Sequence, residues 1–353
     1  MSSILITGGC GFIGSNLSVR LKASGHEVTV MDNLSRRGSE RLLCRIREHG
    51  CSFHHGDVRC PEDLDRLDKP LDILIDCSAE PSVLVGTKSA EARFVFRNNL
   101  EGSVNCFEFA RERKLAVLFL STSRVYPYDI LNQATFQEET TRFELAVPQS
   151  GLSSQGVSES FPLSGVRSLY GSTKLSCEFL LQEYANQYDM PAIINRCGVI
   201  AGPWQLGKVD QGVFTYWIAN HYFNKPLRYI GFGGQGKQVR DLLHIDDLAD
   251  LVEKQLVQLH KFRGQVFNVG GGRSSHLSLQ ETTMLCREIT GNSIPIMPDP
   301  STRPADLSWY ISDNKQASET FDWKPKRSAH TILTDTYKWL VRHEADFRNV
   351  FTA

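Results

Sequence analysis

Residues 4–14, ILITGGCGFIG, constrain this chain more than any other stretch. An apolar strand runs into three spaced glycines, Gly8, Gly11 and Gly14, and residues from about Phe12 to Ala23 carry a helical pattern. Glycines permit a tight turn and let backbone N–H groups approach a pyrophosphate, which also feels the positive end of the helix dipole. A glycine triplet alone is weak evidence. Here it has the strand before it, the helix after it, and an acid, Asp32, closing the second strand EVTVMD (27–32). That carboxylate could accept hydrogen bonds from an adenosine ribose, which favours NAD. Arg36 and Arg37 could hold the 2′-phosphate of NADP, but Asp32 would repel it. The competing reading is a glycine turn in a Rossmann domain that binds nothing.

Strand patterns recur at 52–57, 71–79 and 116–123, between amphipathic helices over roughly 90–113 and 170–188. Apolar strands alternating with helices predict an α/β fold: a Rossmann-type doubly wound parallel sheet covered on both faces, with ligands at the carboxyl ends of its strands. From about 127 to 168 the pattern fades into a polar, Gly/Ser/Pro-rich loop, of a length that is usually functional or disordered. Beyond about 197 the elements are shorter and mixed, with helices near 246–260, 278–290 and 328–345. The expected organisation is an NAD-binding domain over 1–195, with segments near 240–270 returning to it, and a smaller mixed α/β substrate lobe over 196–353.

The formal net charge of the 353 residues is −1, so no field of one sign favours nucleic acid or an anionic membrane as partner. No apolar run approaches the ~18–20 residues that span a bilayer. No basic segment precedes the first apolar stretch, so no signal peptide is expected. The nine cysteines are scattered, without C-x-x-C or zinc spacing, which reads as reduced thiols in a cytoplasmic protein and no metal site. Cys10 and Cys77 fall where a small residue packs.

The fifth strand, in LFLSTSRVYPY (118–128), ends on three hydroxyls, Ser121, Thr122 and Ser123. Farther on, YGSTK stacks Tyr170 and Lys174 on one helical face. A phenol of pKa ~10 is a poor base at neutral pH, and an adjacent ammonium favours the phenolate. Tyr170 could then take a proton from a substrate hydroxyl while Thr122 holds the reacting oxygen. Ser121 and Ser123 read as partners of backbone or cofactor amides. Arg124 is either a substrate contact or a structural ion-pair partner. Asp57 closes the third strand, against adenine or as a plain cap. Ala79 lies among small residues, CSAEP (77–81), where backbone could lie against a cofactor. Asn99 is a poor helix-interior residue, which suggests a buried polar role.

In the second half, Arg240 (QVRD) and Arg303 (TRPAD) are candidates to grip phosphate bidentately, or else surface arginines. Asp210 and Gln211 offer hydrogen bonds to a sugar or base. Trp204 and Trp217 could wall the cleft, with a core position the default, and His244 reads as structural, ahead of a helix opened by Asp246 as N-cap. GFGGQG (231–236) reads as a flexible turn, and no lysine-serine pair follows it in P-loop register, which argues against ATP.

TGGCGFIG, MDNLSRRG, GDVR, NNLEGSVN, STSRVY, YGSTK and GKQVRDLLHIDDLAD together resemble the extended short-chain dehydrogenase/reductases, the nucleotide-sugar epimerases and dehydratases, over nearly the whole chain. The resemblance implies tightly held NAD and a catalytic set of Thr122, Tyr170 and Lys174. It also implies a cofactor surface of Gly8, Gly11, Phe12, Ile13, Gly14, Asp32, Asn33, Arg36, Asp57, Val58, Ala79 and Asn99, together with Tyr170 and Lys174. A nucleoside diphosphate sugar would meet Ser123, Arg124, Asp210, Gln211, Arg240 and Arg303, and the chain would form a homodimer or homotetramer. Dehydratases resemble one another in carrying Asp-Glu after the catalytic threonine; Ser123 and Arg124 stand there and cannot eliminate water. NRCGVIAGPWQLGKVDQG (195–212) looks most like CDP-paratose (CDP-tyvelose) 2-epimerases. Those resemble one another in oxidising C2 of the sugar with bound NAD and returning the hydride to the opposite face. The alternatives are a UDP- or GDP-sugar 4-epimerase, a nucleotide-sugar reductase or dehydrogenase, and a non-catalytic NAD-binding scaffold.

Overall fold

The computed structural model describes residues 1–86, 91–207 and 211–352. The chain forms two compact units. The first holds Met1–Thr122, Leu169–Arg196 and Ala249–Phe267; the second holds Ser123–Ser168, Cys197–Leu248 and Asn268–Ala353. The domain expected over 1–195 therefore does not account for Ser123–Ser168, which group with the second unit.

The first unit is built on seven strands: β1 (Ser3–Thr7), β2 (Glu27–Asp32), β3 (Ser52–His55), β4 (Ile73–Asp76), β5 (Ala116–Thr122), β6 (Ala192–Cys197) and β7 (Arg263–Val269). Their order is β7-β6-β5-β4-β1-β2-β3, and every pairing from β3 across to β5 is parallel. Ile4, Leu5 and Ile6 are consecutive and all fully buried, as a strand covered on both faces requires. Register aligns Thr7 with both Met31 and Asp76, so β1 and β4 end together and β2 runs one residue farther, to Asp32. Asp76 pairs with Phe119, and β5 runs three residues farther, to Thr122. Chain order reverses between β1 and β4, the place where ligands sit in open α/β sheets. The core combines strand residues such as Leu74, Phe119 and Ile194 with Phe107, Cys177 and Leu181 from helices.

Those helices cover 92–113 and Leu169–Gln187. The first is interrupted by a π turn, Phe96–Glu101, between Ala92–Val95 and Gly102–Arg113. Asn99 sits in that turn, fully buried, which accounts for a residue that helix propensity alone disfavours.

In the second unit Val239–His244 is the central strand, paired in parallel with Val199–Ala201 and Trp309–Tyr310 and antiparallel with His276–Ser278. Trp217, Ile218, Cys286, Ile332 and Trp339 form its core. Trp217 stacks on Tyr229 and donates to Thr283 Oγ1 at 3.0 Å; Trp204 is half-buried against Trp339 and His343. Helix Leu279–Thr290 starts at Ser278 with a reciprocal capping box to Glu281.

Two further expectations, both of secondary structure, differ from what is observed. The 127–168 stretch carries a short helix, Tyr128–Gln133, and two hairpins, Phe136–Glu138 with Phe143–Leu145 and Leu152–Ser153 with Gly156–Val157. These strands are too short to leave an alternating pattern. The helix expected to open with Asp246 as N-cap begins at Ile245, and its Asp246 N–H is accepted by His244 Nδ1 at 3.0 Å. Burial holds the His244 imidazole below its usual pKa, in the neutral form that can accept.

Candidate active site

The glycine turn leaves β1 at Thr7. Gly8 has φ +64, and a Cβ there would lie 2.8 Å from the Cys77 carbonyl oxygen, at the end of β4. A Cβ on Gly14 would lie 2.5 Å from the Gly8 oxygen. Gly9, which the spacing of the triplet does not single out, is as constrained: its Cβ would meet Val30 Cγ1 at 2.3 Å. Gly11 is the N-cap of helix Phe12–Ala23 and supplies no side-chain cap, so the first-turn amides around Phe12, Ile13 and Gly14 face outward for an anion.

Asp32 accepts the Cys10 N–H at 2.9 Å and the Leu34 N–H at 2.8 Å. Burial raises its carboxyl pKa and those amides pull it back. The acid thus braces the glycine turn and keeps acceptor capacity for a diol. Asn33 donates to Asp57 Oδ2 at 2.9 Å, and the Arg59 guanidinium beside Asp57 holds that carboxyl well below the usual range. Asp57 also accepts the Arg59 N–H at 3.0 Å, the plain cap role. Val58 is buried against Gly102, Ala79 is half-buried and Arg36 is exposed.

Behind this surface Asp76 is fully buried and accepts from Thr7 Oγ1 at 2.8 Å, Ser103 Oγ at 2.8 Å and the Ser78 N–H at 2.9 Å. It knits the ends of β1 and β4 to the 92–113 helix. Nothing in LIDCSA distinguishes it from an ordinary strand-end acid. Asn99 brackets the Glu80 backbone, beside Ala79.

The structure keeps the expected catalytic residues within one unit. Tyr170 and Lys174 lie one turn apart on the buried face of Leu169–Gln187, 8% and 2% exposed. Lys174 Nζ sits 4.0 Å from the centroid of the Phe119 ring on β5, the strand that ends on Thr122, itself 7% exposed. Ser121 corrects an expectation: its hydroxyl donates to the Glu178 carboxylate rather than serving an amide. Glu178 carries no signal in the sequence, because an acid eight residues after Tyr170 reads as solvated until the burial of that face is known.

Of the expected substrate residues, Ser123, Arg124, Gln211, Arg240 and Arg303 fall in the second unit. Arg124 donates to the Ala305 carbonyl at 3.0 Å and lines a pocket with Tyr126, Tyr128, Arg167, Ser168 and Leu307. Arg240 donates to Asp306 Oδ1 at 2.7 Å and to the Leu307 carbonyl at 2.6 Å. Burial pulls its guanidinium pKa down, with Asp306 opposing and the Arg124 cation adding to the effect. Arg303 begins the turn that returns at Asp306, whose N–H meets the Arg303 carbonyl at 3.2 Å. Gln211 is half-buried, and Asp210 lies outside the described residues.

A family model described as "NAD dependent epimerase/dehydratase family" matches residues 4–270. The chain is 30% identical over 347 residues to the CDP-paratose 2-epimerase of Salmonella typhi, covering 95% of this chain and 98% of that protein. Identity to the UDP-glucose 4-epimerase of Bacillus subtilis is 26% over 355 residues, 96% of each chain. The Bacillus cereus UDP-glucuronic acid 4-epimerase, solved with UDP-glucuronic acid and NAD, matches with TM-score 0.79 and 25% identity, covering 96% of this chain and 99% of that one. The glycine turn fits such a dinucleotide: Gly8 and Gly14 pack backbone on backbone with no room for a Cβ, and Gly11 leaves the first-turn amides without a side-chain cap. The chain belongs to the NAD-dependent epimerase/dehydratase family, and NAD is its cofactor.

Proposed function

We propose that this NAD-dependent isomerase is a nucleotide-sugar epimerase acting at C2 of a CDP-dideoxyhexose, in the manner of CDP-paratose 2-epimerase. What supports it most is the buried helical face shared by Tyr170 and Lys174, with Lys174 Nζ over Phe119 of β5, the strand that ends on Thr122. The long match to the Salmonella enzyme supports the choice of sugar and carbon. When bound, NAD would supply a hydride acceptor and donor at the sugar carbon, so that inversion would consume no outside reductant.

Tyr170 removes the proton from the sugar hydroxyl and later restores it. The Lys174 ammonium favours the phenolate, and the Thr122 hydroxyl donates to the sugar oxygen as it becomes a carbonyl. Asp32 takes the adenosine ribose and the amides of Phe12, Ile13 and Gly14 take the pyrophosphate. Arg124, Arg240 and Arg303, with Ser123, Asp210 and Gln211, receive the nucleotide sugar. Ser123 and Arg124 offer no acid–base pair, which favours epimerisation over dehydration. A UDP-sugar 4-epimerase is the second reading, favoured by the similarity to the Bacillus subtilis and Bacillus cereus proteins.

The reading includes a cytoplasmic location, supported by the scattered cysteines, and a homodimer or homotetramer. Phe94, Phe96, Phe179 and Leu180 are exposed on the 92–113 and Leu169–Gln187 helices, which supports pairing of these helices with a second copy. Among the described residues no helix is long and apolar enough to cross a membrane. Incubating the purified chain with CDP-, UDP-, GDP- and dTDP-hexoses, with NMR detection of product stereochemistry, tests the assignment. Inversion at C2 of CDP-paratose without net NADH is expected; inversion only at C4 of UDP-sugars selects the second reading. Net NADH production refutes both.

A further inference from the structure

Glu178 is 1% exposed in the first unit, yet carries a carboxylate. It lies two turns beyond Tyr170 and one beyond Lys174, on the same buried helical face. A lone charge in that position would be prohibitive, and the fold supplies partners from two neighbouring strands. Arg196 of β6 donates through Nη2 to Glu178 Oε2 at 2.7 Å and through Nε to Oε2 at 3.0 Å and Oε1 at 3.2 Å. Ser121 of β5 donates to Oε1, and is the residue immediately before Thr122.

The contacts form two rungs between the same helix and the same strand. Lys174 Nζ lies over Phe119, and Glu178 takes the Ser121 hydroxyl. Phe119 and Ser121 are two apart on a strand and share a face, and Lys174 and Glu178 are four apart on a helix and share a face. A pair of rungs at these spacings fixes both the height and the rotation of the helix against the strand end. Core packing through Cys177 and Leu181 holds the helix in place, and the two rungs set its rotation more finely than one alone.

We propose that Glu178, held by Arg196 and Ser121, is a positioning residue that sets the distance between the Tyr170 phenol and the Thr122 hydroxyl. The inference rests on the reading of Thr122, Tyr170 and Lys174 as the catalytic set. A carboxylate suits the task because it accepts from both strands at once in fixed directions. Misplacement of reacting groups by about 1 Å costs on the order of a hundred-fold in rate, so a small roll acts on turnover rather than on substrate affinity.

The test uses the full chain with its NAD and CDP-paratose as probe, comparing Ser121→Ala, Ser121→Thr and Glu178→Asp with Tyr170→Phe. For Ser121→Ala the expected result is a fall in kcat of about ten- to a hundred-fold, with KM within about two-fold and NAD content and Tm close to the parent. Ser121→Thr, which restores the hydroxyl, should recover most of kcat. Glu178→Asp should behave like Ser121→Ala; if it fails to fold, the serine pair alone decides. Unchanged kcat in Ser121→Ala, or losses in kcat, KM and Tm that move together without rescue by threonine, overturn the positioning role while a dead Tyr170→Phe leaves the catalytic set standing. A fully active Tyr170→Phe removes the catalytic reading, and the positioning role with it.

Discussion

Asn99 holds the Glu80 backbone from both sides: Nδ2 donates to the Glu80 carbonyl at 3.1 Å and Oδ1 accepts the Glu80 N–H at 2.7 Å. The loop leaving β4 is thereby fixed by a residue on another element. Asn99→Ala removes both bonds and leaves the two backbone groups unmatched, at a cost of about 2 kcal/mol. The urea-unfolding midpoint should fall accordingly. NAD should also be lost faster on dialysis, because Ala79 borders the same loop. Unaltered stability would show that the loop holds its shape unaided.

The glycines of the first turn are not equivalent. In Gly14→Ala the new methyl would meet backbone, at 2.5 Å from the Gly8 oxygen and 2.6 Å from the Gly9 Cα, so the turn itself must shift. Overpacking of this kind costs about 1–3 kcal/mol, and the purified variant should carry little NAD. In Gly11→Ala the nearest atom is 3.1 Å away, so Tm should stay near the parent while NAD retention still declines. Cofactor content measured by absorbance after denaturation, beside a melting curve, separates the two effects.

Local signals carry the α/β half of this chain. Strand β2 matches its expected bounds of 27–32, and the first helix its expected start at Phe12, because apolar periodicity and glycine punctuation are properties of neighbouring residues. What escapes a reading of the sequence depends on distant partners. Asp76, Glu178 and Arg196 are ordinary charged residues in the sequence and become a buried framework only once β1, β4, β5 and β6 lie side by side. Asp246 carries the N-cap signature, yet His244 occupies the acceptor position. The hairpins at 136–157 are two- and three-residue ladders, too brief for any alternation to register.

Acid should weaken the second unit through His276. Burial, with the cations of Arg142 and Arg273, pushes its imidazole down to about 4, against the opposing carboxylates of Glu144 and Glu281. An unfolded histidine titrates near 6.5, so below that value the unfolded chain takes a proton that the folded chain refuses. The contribution is complete above about pH 6.5 and drains away as the pH falls towards 4, amounting to ~3 kcal/mol at the acid limit. Urea unfolding at pH 7 and pH 4.5 should show a smaller acid-induced loss in His276→Gln than in the parent. Identical losses would assign the acid sensitivity to other groups.

On the proposed route, inversion proceeds through oxidation at a carbon whose hydrogen never leaves the enzyme, with Tyr170 moving only the hydroxyl proton. CDP-paratose carrying deuterium at C2, or the sugar chosen by the substrate panel labelled at its inverted carbon, puts that claim to a single mass measurement in ordinary water. The expected product keeps its deuterium at the inverted carbon. A product that has exchanged deuterium for solvent hydrogen would mean proton abstraction at carbon, and would contradict the roles of Tyr170, Thr122 and the dinucleotide in hydride transfer.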